Sequence, residues 1–283
     1  MARYSYIFLF ILTMLNSSVI RAGEQNCGEA ALSVVGKHLK LKDFYLYDYK
    51  TGKGLIVSAA CKLTPQNKNI ELVAIAYSSE DSSALGKDAK VDPDFLPEKS
   101  LIVAMVDSAT KQVISSYQSI IVEDAAVTVG GDSLLLDTAP YQLAPNVRAF
   151  GLRFNNASIG PSCAQGWQSD ELQLFVRAGA NLKPIFAIPM ENAELLKGDC
   201  LNDMGGEKTI LEEAKLTVKV QKTVTNGYVD LMLNAAITTD GTDLNAKKIK
   251  SRVEQQLLKF DGKKYIVNSK KTPWWLGNPW ALQ

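Results

Sequence analysis

The chain has 283 residues, 46% hydrophobic and 22% charged, with 31 Lys and Arg against 30 Asp and Glu. That balance gives no electrostatic footprint for nucleic acid or for an anionic membrane surface. Four cysteines, none pair of which has C-x-x-C spacing, and a single histidine, His38, exclude the usual Cys/His zinc sites.

The first residues carry the three parts of a secretory leader. Arg3 sits in a short polar start, an apolar run follows from Ile7 to Leu15, and Asn16, Ser17 and Ser18 lead to Ala22. We expect cleavage after Ala22, so residues 1–22 are read as a signal peptide; the apolar run is only about half of the roughly 20 residues that span a bilayer. Cleavage removes Arg3 and Arg21 and no acidic residue, lowering the basic count from 31 to 29. No later stretch has the length and apolarity of a second anchor, and the expected location is periplasmic or secreted.

All four cysteines, Cys27, Cys61, Cys163 and Cys200, lie after the leader, the usage of an oxidising compartment. The expected bridges are Cys27 with Cys61 and Cys163 with Cys200, each closing a moderate loop between neighbours in sequence. Each would contribute roughly 3–4 kcal/mol in the chain-entropy model. Three connectivities are open to four cysteines. Paired cysteines also leave no thiolate nucleophile.

After Cys27 the residues Ala30, Ala31, Val34, Val35 and His38 recur at helical spacing and predict one short amphipathic helix. From Leu39 to Phe44 the period becomes two. Three hairpins are then expected. The first pairs Asp43–Tyr49 with Gly54–Ala60 across Lys50-Thr51-Gly52-Lys53. The second pairs Leu101–Val106 with Gln112–Ile121 across Asp107–Thr110, and the third turns at Asp261-Gly262 between Phe260 and Lys263–Val267. Further strands are expected at Ala126–Val129, Ser133–Asp137, Arg148–Phe154, Glu171–Val176, Leu216–Val220 and Tyr228–Leu233, the last entered through Asn226-Gly227. Lys247–Phe260 is open between helix and strand.

The fold class that follows is mainly β: an antiparallel β-sandwich-like domain with a short N-terminal helix, followed by a smaller β-rich C-terminal unit. The expected boundaries are 23–190 for the first domain, a polar linker over 191–210, and 211–283 for the second.

Several motifs raise specific chemistries. Gly131-Asp132-Ser133-Leu134 resembles the signature block of the GDSL esterases, which would make Ser133 a nucleophile. That family's base is a histidine near the C-terminus, and this chain has none after His38. Ser108-Ala109-Thr110-Lys111 has the Ser-x-x-Lys spacing of penicillin-binding proteins and serine β-lactamases, but sits in an expected turn without a Ser-Asp-Asn partner. His38 is read as a helix-end residue, with general-base chemistry as the alternative. Asp88, Asp92, Asp94 and Glu98 fall in one loop-like stretch and could supply oxygens to a hard cation such as calcium, although they lack the spacing of an EF-hand. Glu123, Asp124 and Asp137 are the carboxylates available for a glycosidase-type pair. Finally, Trp274, Trp275 and Trp280 crowd into the strap Pro273–Trp280, where aromatic faces either stack on a sugar or peptide or plug a groove of the protein itself.

No catalytic set is complete and no cofactor is implied. The expected function is therefore a non-catalytic, disulfide-stabilised binding or interaction protein. Its partner is expected to be a protein, peptide or glycan of the cell envelope or exterior. A carboxylate-dependent hydrolase acting on glycans and an envelope structural or assembly factor stand as alternatives.

Overall fold

A computed structural model describes residues 26–48, 50–78, 98–124, 126–158, 166–197, 210–241, 250–267 and 272–277. The protein is mainly β, with one helix among the described residues. The expected leader, Cys163, Cys200, Asp88, Asp92, Asp94 and Trp280 lie outside the described residues.

Helix α1 (Glu29–Leu39) buries Ala31, Leu32, Val35 and Gly36. Glu29 in the first turn and Lys37 and His38 in the last complement the helix dipole. Lys40 closes the helix at φ 58°, its N–H donating to the Gly36 and Lys37 carbonyls. The buried stripe is one residue out of phase with the expected one: Ala30 and His38 are exposed and Leu32 is inside. Cys27 is bridged to Cys61, as expected, tying the start of α1 to strand β1 (Ile56–Leu63).

Strand β2 (Ile70–Tyr77) is central, pairing with β1 and with β3 (Glu98–Asp107). It had no place among the expected strands. Its apolar run shows no alternation because both faces are covered: Val73 and Ile75 face α1, while Leu72, Ala74 and Ala76 face a second layer. Strand β3 turns into β4 (Gln112–Val122) through the expected hairpin, with Asp107 Oδ1 accepting from the N–H groups of Ala109 and Thr110 at 2.8 and 3.1 Å.

The second layer is formed by β5 (Leu134–Asp137), β8 (Phe150–Phe154) and β9 (Gly166–Ala178). Leu134, Leu136, Leu152, Phe154 and Phe175 pack on the inner face of β1–β3, a sheet-on-sheet arrangement with α1 as a third layer outside. Between β5 and β8 a two-stranded ribbon, β6 (Gln142–Ala144) with β7 (Val147–Arg148), forms its own small sheet.

β10 (Asn181–Lys197) pairs antiparallel with β9 and then with β11 (Ile210–Thr225). Hydrogen-bonded neighbours continue to β12 (Tyr228–Gly241), β13 (Lys250–Phe260) and β14 (Tyr265–Val267). Among the described residues the parallel pair Asn181 with Ser116 joins this array to β4. Its core includes Leu172, Leu174, Ile188, Leu216, Leu233, Phe260 and Trp275.

Four expectations are corrected. The first residues of the expected linker are strand: residues 191–197 belong to β10, where Glu191 and Leu195 pair with Lys215 and Leu211. Residues 39–44 are not extended, since Lys40 and Asp43 take positive φ. The first hairpin reduces to the bridges Leu46–Ile56 and Asp48–Lys53, because the Asp48 carboxylate winds the chain into a turn through Lys50 N–H and Thr51 Oγ1. Residues 126–129 form an irregular loop held by Asp124 Oδ1, which accepts from Ala126 and Val127 N–H at 2.7 Å.

The Asn226-Gly227 turn matches its reading, with φ values of 48° and 86° that suit a tight hairpin. Lys250–Phe260 resolves as strand. The third hairpin forms, but its turn takes four residues, Asp261 to Lys264, instead of two: Phe260 pairs with Tyr265, and the Asp261 N–H donates to Lys264 O at 3.0 Å.

Candidate functional site

The tryptophan strap is interior where it is described. Trp275 is fully buried, its Nε1–H donates to Glu254 Oε2 at 2.7 Å, and its carbonyl accepts from Asn192 Nδ2 at 2.9 Å. It therefore offers no face to a ligand, and Trp274 and Leu276 pack partly buried against the same core. Gly277 is needed for this fit: a Cβ there would come 2.7 Å from Asn192 Oδ1 and 2.8 Å from Pro189 Cγ.

Beneath the strap, register places Arg252 and Glu254 opposite the core-facing Ile237 and Ala235. The Arg252 guanidinium forks onto Glu212, with Nη1 to Oε1 at 2.5 Å and Nη2 to Oε2 at 3.0 Å, and its Nε donates to Glu254 at 2.7 Å. Thr239 Oγ1 adds a hydrogen bond to Glu212. Hydrogen bonds from Arg252 hold both carboxyls below the ordinary glutamate range. Trp275, two carboxylates and one arginine thus form a closed network, which is structural.

The carboxylates considered for hydrolysis are also engaged. Glu123 accepts from Val129 N–H at 2.7 Å and pairs with Lys99 at 2.7 Å. Asp124 holds its own turn, as described above. Asp137 accepts from Ala139 N–H and from the Tyr141 hydroxyl, both at 2.8 Å. Burial and the Asp137 charge push the Tyr141 phenol far above its usual range. Ser133 is buried in a turn, its Oγ accepting from Gly130 N–H at 2.8 Å, and Ser108 and Lys111 lie in the β3–β4 turn.

One arginine stands in a different setting. Arg148, on β7, reaches into a cavity of about 230 Å³ whose apolar wall is Ile70, Leu72, Met105, Ala149 and Phe150. The rim is the β1–β2 turn, from Thr64 to Asn67, together with Thr138. That turn is internally fixed. Thr64 Oγ1 donates to Asn67 O at 2.6 Å, Ile70 N–H donates to the same carbonyl at 2.9 Å, and Asn67 Oδ1 accepts from Asn69 N–H at 2.9 Å. It holds the exposed Gln66 over the guanidinium. The Gln66 amide lies over the face of the guanidinium, within 3.1 Å of all three of its nitrogens. Arg148 Nη2 also donates to Thr138 O at 3.1 Å and Ala139 O at 3.4 Å.

Among the described residues Arg148 is the one charged residue lining the cavity, and its hydrogen-bond acceptors are the Thr138 and Ala139 carbonyls. A half-buried cation beside an apolar wall keeps a stronger field than one in water, and a planar guanidinium suits a two-oxygen anion. What this arrangement can do chemically is bind an anionic group carried on an apolar body.

Sequence reasoning placed Arg148 at the start of a strand but attached no chemistry to it. A signal was present: at strand period two, Arg148 is in phase with Phe150, Leu152 and Phe154, so a charge falls on the inward face. Gln66 carries no comparable local signal, because the turn alone brings it across. No protein-family model, curated protein or solved structure matches the chain.

Proposed function

We propose that the protein is an exported, disulfide-stabilised binding protein without catalytic activity, acting in the periplasm or outside the cell on a protein, peptide or glycan partner. The observation that carries the binding half is the Arg148 cavity, a concave apolar surface with one directional charge, the usual composition of a recognition site. Support for export comes from the leader-like first 22 residues and the Cys27–Cys61 bridge, since such bridges persist in oxidising compartments. Among the described residues no helix is long and apolar enough to cross a membrane.

The test is expression of the full chain in a host with a secretory pathway, followed by fractionation, non-reducing mass spectrometry and a thermal-shift screen against envelope peptides and glycan fragments. The expected result is an exported protein beginning at Gly23, bridged, with ligand-dependent stabilisation. Recovery only from the cytosol with free thiols would overturn the export half. Labelling by hydrolase probes, or turnover of any screened substrate, would overturn the non-catalytic half.

A further inference from the structure

Helix α1 and residues 41–45, which turn back beside it after Lys40, leave a groove of about 330 Å³ between them. Its floor is apolar, formed by Leu32, Gly36, Leu41 and Phe44, with Tyr45 on the rim. Both walls are fixed. Leu41 N–H donates to Gly36 O at 3.0 Å, and Phe44 lies so close to the helix that a Cβ on Gly36 would come 2.9 Å from its own Cβ. Phe44 also meets Tyr77 edge-on at 5.2 Å, and Tyr45 O accepts from Ile56 N–H at 3.0 Å. The groove therefore cannot close by collapse, so its apolar floor is covered only by something from outside. Tyr45 and Leu46, 42% and 54% exposed, carry the apolar surface beyond the rim.

The charges along the groove define what fits. Glu29, Ser33 and Lys37 line it on the helix side, are exposed, and follow one another at four-residue steps along a single ridge. Glu29 stands at one end and Lys37 at the other, about 12 Å apart along the helix axis. Among the described residues no ion pair engages either of them. The short Ser33 lies midway between them. An antiparallel helix with the same three residues brings a lysine to Glu29 and a glutamate to Lys37, with serine against serine at the centre. That is the pattern of a two-fold axis at Ser33, which a second copy of the chain satisfies. An arriving lysine lays its methylenes along the apolar floor and keeps its ammonium at the carboxylate. The antiparallel arrangement also sets the two helix dipoles head to tail.

We propose that α1 is a self-association surface: two copies pair α1 antiparallel about a two-fold axis at Ser33, each Lys37 filling the groove of the other copy and meeting its Glu29. The groove shares no residue with the Arg148 cavity, so this association goes beyond the binding-protein reading and is independent of it.

The test is sedimentation equilibrium of the full-length protein over about 1–100 μM. Wild type is expected to dimerise with a Kd on the order of 10 μM, weakening as salt is added. Glu29→Lys or Lys37→Glu alone creates two like-charge contacts in each dimer, and either is expected to weaken it about tenfold or more. Mixing these two variants in equal amounts pairs lysines on one copy with glutamates on the other at both ends, so association is expected to return to within about threefold of wild type. Ser33→Arg leaves both charges in place and fills the centre of the contact, so it abolishes the dimer. It keeps the test decisive if circular dichroism shows that a charge variant has not folded.

A wild-type protein that is monomeric at every concentration would overturn the proposal. So would a dimer that survives Ser33→Arg or either single reversal, or single variants that fail to associate with each other when mixed.

Discussion

Arg252 and Arg148 are both half-exposed arginines on the flank of an apolar core, yet their surroundings make them opposites. Arg252 meets two carboxylates, a threonine hydroxyl shares one of them, and the indole of Trp275 closes the other. Among the described residues Arg148 donates to backbone oxygens, beside an open volume. The first arrangement satisfies every charge internally and gains rigidity. The second has no carboxylate among its described hydrogen-bond partners. The difference lies in the partners, because carboxylates neutralise an arginine from within, making it a rivet, and carbonyl oxygens do not.

The strongest test of the rivet is Trp275→Ala. Removal of a fully buried indole is expected to cost about 3–5 kcal/mol, read by urea unfolding, and a loss under about 1 kcal/mol would show that the strap is not part of the core. Reduction of Cys27–Cys61, or Cys27→Ser with Cys61→Ser, is expected to cost about 3–4 kcal/mol, since the bridge spans 34 residues. Equal melting temperatures with and without reductant in the wild type would remove the bridge as a stabiliser.

Breaking the network itself should cost less. Glu212→Gln is expected to destabilise by about 1–2 kcal/mol, a figure reduced for the partial exposure of Arg252. The same network sets a pH dependence. Glu212 and Glu254 are held below the usual range in the folded protein, so their contribution is fully present above the unfolded value of about 4.3 and is lost as pH falls through the lower folded values. The melting temperature should therefore drop more steeply below that pH in wild type than in Glu212→Gln, and parallel curves would argue against the network. The smallest effect belongs to Arg148: Arg148→Met should change stability by less than about 1 kcal/mol, read by urea unfolding. A loss as large as that of Glu212→Gln would erase the contrast between the two arginines.

Much of the fold was legible because its signals are local. Asp107 and Asn226-Gly227 mark their turns by side-chain capping and positive φ, and each needs only a few neighbouring residues. Strand β2 was invisible because a strand covered on both faces shows no alternation, and residues 191–197 read as linker because their polar side chains find cross-strand partners only in β9 and β11. At the candidate site, Arg148 carried a faint periodic signal, whereas Gln66, 82 positions away in sequence, carried none.

By itself, then, the sequence determined the mainly β character, the helix after Cys27 and most of the hairpin turns, all consequences of local backbone preference, and it offered Cys27–Cys61 as one of three possible pairings. Only the tertiary structure decided that Trp275 is core, that Asp124 and Asp137 hold turns, and that Arg148 faces a cavity with a neutral partner. Those outcomes depend on which distant groups meet, and the desolvation and charge pairing that give each side chain its role exist only once the layers have packed.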